Sequence, residues 1–353
     1  MNGRYFCSGM PGLAPFVPPT RDSLSPRPVS GSVFKVAGLR MCRTRQPRRR
    51  IFNALVFLFL LGTGRLAGAE PALRVVATLS TFADLTKQIG GDRVEVAHIA
   101  SPRFNPHFIE PRPSDVLKVK KADLFVHAGL DLEVWRGPLI DAAGNPRVFP
   151  GQPGELDLSK GVRLLEIPTG PVSRLEGDIH LFGNPHYWTD PENGRIMART
   201  IAEKLAEVDP AHAEEYRQRL AAFLIRLDGK ITEWRQLSSG LRGKEVIAYH
   251  NQWPYLARFT GIKVEQFLEP KPGVPPSPKH LGFLEQYMKE RGIQAIIQPT
   301  YFSKNSSEAL ARRVGGKVVI LCENVGELPE ASDYIVFIDY NVRQLIQVLG
   351  SNT

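Results

Sequence analysis

From residue 73 the chain alternates short β-branched and apolar runs with stretches of helical period. "LRVVATLS" (73–80), "VEVAHIA" (94–100) and "DLFVHAG" (123–129) predict buried strands. Between them, "TFADLTKQIG" predicts a helix capped by Thr81 and stopped by Gly90 and Gly91, and "DVLKVKKA" one capped by Ser114 or Asp115. The alternation returns further on, with strands expected at 244–250, 263–269, 294–298 and 317–321. Separating the two regions, "PENGRIMARTIAEKLAEV" predicts a helix capped by Asp190. From Pro210 a second helical pattern runs without a proline to about Leu237, roughly 40 Å at the helical rise. The pattern predicts an α/β fold of two βα lobes with largely parallel sheets, joined by one long spine helix. The expected units are 70–190, a helical linker at 191–240, and 241–353.

Charge changes the picture only at the amino terminus. Residues 1–69 carry eleven basic side chains and one acid, Asp22, so they hold +10, and residues 70–353 come to −1 against the formal total of +9. A near-neutral body has no field to hold a polyanion, which excludes nucleic acid as a partner. The basic segment reads as a leader: "RTRQPRRR" (43–50) precedes the apolar "IFNALVFLFLLGTG" (51–64) and the small residues "AGA" (67–69), so cleavage is expected after Ala69. The apolar run is shorter than the about 20 residues of a spanning helix. Residues 1–40 read as a misplaced start ahead of Met41, and "RRIF" allows twin-arginine export beside the ordinary secretory route. The expected product is exported, periplasmic or otherwise extracytoplasmic, and soluble. Of three cysteines only Cys322 follows the leader, so the body has no internal disulfide.

Candidate chemistry lies in the histidines. "FNPHFIEP" (104–111) and "GNPHYWTDP" (183–191) each hold Asn-Pro-His, then an aromatic residue, an acid and a proline. Proline fixes its own φ and restricts the residue before it, so both loops carry an imidazole on stiff backbone. A metal site demands such rigidity. His107, His186 and the strand-end His250 therefore form the candidate metal set, with Glu110 and Asp190 either orienting imidazoles or capping the next helices. His98 is expected in the core and His212 and His280 at the surface; His127 and His180 are placed where they could line a cleft.

"FNPHFIEPRPSD", "GNPHYWTDPENG" and "VIAYHNQWPYLARFTGIK" resemble, in order and spacing, the three ligand segments of the zinc- and manganese-binding solute-binding proteins of bacterial ABC importers. The resemblance covers about residues 73–349. It implies an ion held in the interlobe cleft by His107 and His186 from one lobe and His250 from the other, a membrane permease as partner, and a monomer. It also implies a carboxylate from the last strand's end. The aligned position is Cys322, with Glu323 and Glu327 nearby; Glu269 and a water are further choices. The His-rich loop of many zinc-specific relatives is missing here, and the "GDIH" before the second motif makes His180 an accessory candidate.

Three imidazoles with one carboxylate or water suit zinc; added carboxylates would favour manganese. Binding requires neutral imidazoles, so affinity is expected to fall below about pH 6.5. Two rival readings are a metal-dependent adhesin of the same fold and a secreted zinc hydrolase with Glu110 as base. The hydrolase lacks an H-E-x-x-H helix, and ligands divided between lobes make a poor catalytic template. The expected function is metal capture and delivery, not catalysis.

Overall fold

The computed structural model describes residues 72–170 and 180–350, so the leader lies outside the described residues, as do Gly177, Asp178 and Ile179 of the "GDIH" stretch. The first sheet comprises β1 (Leu73–Ala77), β2 (Val94–His98), β3 (Leu124–His127) and β4 (Glu155–Asp157), in the order β2-β1-β3-β4. The second comprises β5 (Glu245–Ala248), β6 (Lys263–Phe267), β7 (Ala295–Gln298) and β8 (Lys317–Ile320), in the order β6-β5-β7-β8. Every pairing is parallel, as βα alternation requires. In both sheets the strand order reverses beside the first strand, between β1 and β3 and between β5 and β7. Such switch points open a crevice beyond the carboxyl ends of the strands. Strand β4 escaped the sequence pattern because its three residues offer one apolar side chain, Leu156.

Helices α1 (Ser80–Gly90), α2 (Pro113–Lys120) and α3 (Arg136–Ala143) flank the first sheet. Then come α4 (Pro191–Val208) and the spine α5 (Ala213–Leu237), 25 residues and so about 38 Å long. Helices α6 (Pro254–Thr260), α7 (Pro278–Arg291) and α8 (Lys304–Val314) belong to the second sheet, and α9 (Tyr334–Leu349) ends the described chain. Asp190 caps α4 as expected, accepting from Glu192 N at 2.8 Å. One cap assignment is corrected, and of the two caps expected for α2 it is Asp115 that serves. Helix α1 begins at Ser80, and Thr81 lies inside it, bonded to Asn324 Oδ1 and Val325 N at 3.0 Å each. Helix α2 is closed from within its first turn, where Asp115 accepts from Arg112 N at 3.0 Å.

One apolar cluster joins the halves. It takes Phe82 and Leu85 from α1, Met197 and Ile201 from α4, Phe223, Leu227 and Trp234 from the spine, and Tyr334, Phe337 and Ile338 from α9. The last helix, reached only after the second sheet, thus returns to pack on helices that precede it. Buried polar ties reinforce the joint: Ser80 Oγ donates to Val325 O (2.7 Å), Trp188 Nε1 to Glu323 O (2.7 Å) and Tyr255 Oη to Asn184 O (2.8 Å). Arg258 pairs with the buried Asp190 at 2.8 Å. An apolar cluster shared by the two halves, with buried hydrogen bonds across the joint, resists wide opening.

Candidate metal centre

The two Asn-Pro-His loops share one local device. Asn105 Oδ1 accepts the backbone N–H of His107 at 3.0 Å, and Asn184 Oδ1 accepts that of His186 at 3.1 Å. In each case the asparagine side chain caps a short turn, proline sets its first φ, and the imidazole is fixed two residues on. Trp135 Nε1 pins the first loop by donating to Pro106 O at 2.9 Å. Asn184 Oδ1 also lies 3.0 Å from His186 Nδ1, which leaves Nε2 as the lone-pair nitrogen. His250 follows β5, and its Nδ1 is 2.8 Å from Glu269 Oε2, beyond β6. Its Nε2 is buried with no hydrogen-bond partner.

These loops bring the three predicted histidines together. His107, His186 and His250 are all buried, and each offers a ligand atom within 4.8 Å of the others. His107 Nε2 and His186 Nε2 are 3.1 Å apart, and the His250 ring centroid lies 5.5 Å and 5.6 Å from those of His107 and His186. A fourth donor adjoins them: Glu323 Oε1, without a hydrogen bond, is 3.3 Å from His186 Nε2. Glu323 is fully buried beyond β8. Burial pushes its carboxyl up to about 8, the Glu327 charge adding to the rise against the Tyr301 hydrogen bond. Burial, then the neighbouring imidazoles, holds His186 well below the ordinary histidine value. The site thus disfavours charge on its own side chains, a condition a dication reverses.

The other carboxylate candidates have different partners. Glu327 accepts from Thr300 N at 2.6 Å and Glu323 N at 2.7 Å, tying the loops after β7 and β8 together. Glu269 holds His250. Cys322 is buried in the main core, its backbone bracketed by the Asn341 amide; burial raises its thiol far above the ordinary value, opposite to what a thiolate ligand needs. Glu110 is exposed, and Asp190 serves α4 and Arg258.

Among the remaining histidines, His180 lies against the group, its ring centroid 5.0 Å from that of His107, and lines a cavity of about 360 Å³ with Glu166, Asn184, His250 and Glu269. His127 belongs elsewhere, buried 3.0 Å from Glu155 with Arg136 beside it. His98, expected in the core, is exposed, because β2 is an edge strand. His212 bonds Asp209, and His280 bonds Phe267 O; both are half-buried.

Two site neighbours carried no sequence motif. Glu166 accepts from Asn184 Nδ2 (3.0 Å) and Asn251 Nδ2 (2.8 Å), joining the loops that carry His186 and His250, and its backbone sits in the left-handed region at φ 54°. That conformation costs a non-glycine residue about 1–2 kcal/mol, offset here by the two amides. Tyr301, after β7, donates to Glu323 Oε2. The rule that sites form beyond strand ends points to Tyr301; nothing in the sequence around Glu166 does.

Comparison with known proteins identifies the family and the fold. The sequence model of the family described as "Zinc-uptake complex component A periplasmic" matches residues 75–348. The iron-binding protein YfeA of Yersinia pestis is 26% identical over 314 residues, 85% of this chain and 95% of that protein. The high-affinity zinc uptake system protein ZnuA of Bacillus subtilis is 27% identical, over 74% of this chain and 81% of that one. A crystal structure of ZnuA superposes with a TM-score of 0.68 at 26% identity, covering 79% of this chain and all of that one. With the matched span reaching from β1 to α9, the chain belongs to the zinc-uptake complex component A family.

Proposed function

We propose that this protein captures one divalent transition metal ion outside the cytoplasm, zinc before manganese, and delivers it to the permease of an ABC importer. His107, His186 and His250 supply imidazole nitrogens and Glu323 the fourth donor. The observation that carries the reading is a pair of spacings: 3.1 Å between His107 Nε2 and His186 Nε2, and 3.3 Å between His186 Nε2 and Glu323 Oε1. Bonds of about 2.0–2.1 Å at tetrahedral angles place neighbouring donors about 3.3 Å apart. The family is a transport component, and its relatives' names span zinc and iron, so metal preference rests on the donor set.

The protein acts as a monomer, and its role is binding, not catalysis. Glu110, the base a hydrolase would need, is exposed on its loop. Buried ties between the halves keep closure small, so release requires the permease to disturb a ligand loop, that of His250. The test is titration of residues 70–353 with zinc against a chromophoric chelator, for the native protein and for His107→Ala, His186→Ala and His250→Ala. One equivalent bound, with each variant weakened at least a hundredfold, is expected. An affinity within a factor of three for any variant removes that residue from the site.

A further inference from the structure

Glu323 meets the candidate metal centre with only one of its two oxygens. Oε1 makes no hydrogen bond and lies 3.3 Å from His186 Nε2. Oε2 accepts the phenolic proton of Tyr301. The phenol is itself fixed. Its oxygen accepts from Gln252 Nε2 at 3.3 Å, and Gln252 N bonds the carbonyl of His250 at 3.0 Å, so the tyrosine links Glu323 to the loop of the third histidine. Thr300 N, one residue earlier, donates to Glu327, which also holds Glu323 N. The ring packs at 4.7 Å on Phe302, which stacks at 4.1 Å on Tyr249 beside His250. Carboxylate and phenol are therefore set by one partly buried hydrogen-bonded network and do not turn independently.

A carboxylate with one oxygen occupied is a one-point donor. Three imidazoles and one oxygen complete the four-coordinate shell that zinc prefers. Manganese favours oxygen ligands and larger coordination numbers, and it gains from a carboxylate that binds through both oxygens. We propose that Tyr301 is a specificity-determining positioning residue: by holding Glu323 Oε2 it enforces single-oxygen coordination and selects zinc over manganese. This rests on the metal-site reading above and adds the origin of its selectivity.

The experiment compares the native protein with Tyr301→Phe and Gln252→Glu, each checked for native circular dichroism. Phenylalanine removes the phenol's proton. In Gln252→Glu the new carboxylate competes for that proton, so the second variant keeps the test open should the first not fold. The primary readout is the ratio of zinc to manganese affinity, because added charge shifts both metals together. The second is the visible spectrum of the cobalt(II)-loaded protein, intense for four-coordinate and weak for five- or six-coordinate ions. The proposal predicts a four-coordinate native spectrum, a lower and broader band in the variants, and a selectivity ratio reduced at least tenfold, about 1.4 kcal/mol. An unchanged ratio and spectrum in a folded variant overturns the role of Tyr301 while leaving the metal site standing. A native protein that takes up neither zinc nor cobalt overturns the metal site and this inference together.

Discussion

Glu269 Oε2 lies 2.8 Å from His250 Nδ1, while the other ring nitrogen of His250 is buried without a hydrogen-bond partner. One carboxylate thus selects the tautomer and aims Nε2 at His107 and His186. Partners of this kind change metal affinity about 10–100-fold when lost. Glu269→Ala is expected to weaken zinc binding by that factor with the fold intact, measured by chelator competition; unchanged affinity would mean His250 is held by packing alone.

Tyr334 closes the second ligand loop from behind, donating to Trp188 O at 3.0 Å. It fits because Gly194 on α4 has no side chain: a Cβ there would stand 2.5 Å from the Tyr334 ring and hydroxyl, both within the core. Gly194→Ala should cost about 1–3 kcal/mol, read as a lower denaturation midpoint, and should also weaken zinc binding by displacing the loop. An alanine variant as stable as the native protein would show that Tyr334 yields freely.

Asp339 ties α9 to the spine. It accepts from Trp234 Nε1 (2.9 Å), Lys230 (2.8 Å) and Arg343 (2.6 Å). Burial raises its carboxyl, but these donors prevail and hold it near 2, below its ordinary 3.8. A depressed carboxylate contributes stability that is fully present above pH 3.8 and is lost as pH falls through about 2. Asp339→Asn should therefore lose roughly 1–2 kcal/mol at pH 7, with the deficit shrinking between pH 4 and 2. A deficit independent of pH would indicate a shape effect instead.

The fold was legible where periodicity is strong. Strands β5 to β8 lie within the stretches their β-branched residues marked, and the spine follows the proline-free pattern after Pro210. A threonine ahead of an apolar run has the pattern of a cap, whereas the partners of Thr81 lie 243 and 244 residues away. Alternation does not say which strand is an edge, so the exposure of His98 on β2 leaves no mark in the sequence. In the candidate site, the doubled Asn-Pro-His loops and His250 stood out from local chemistry alone. Choosing among Glu269, Cys322, Glu323 and Glu327 needed three-dimensional neighbours, since all four follow strand ends. Glu166 had no signal, because its role depends on two amides brought together only by folding.

The most direct measurement of the central claim is zinc K-edge X-ray absorption on the purified, zinc-loaded chain. The account predicts three imidazole nitrogens and one oxygen at about 2.0–2.1 Å, with no sulfur. A sulfur scatterer near 2.3 Å, or a shell of oxygens with fewer than three imidazoles, would contradict it.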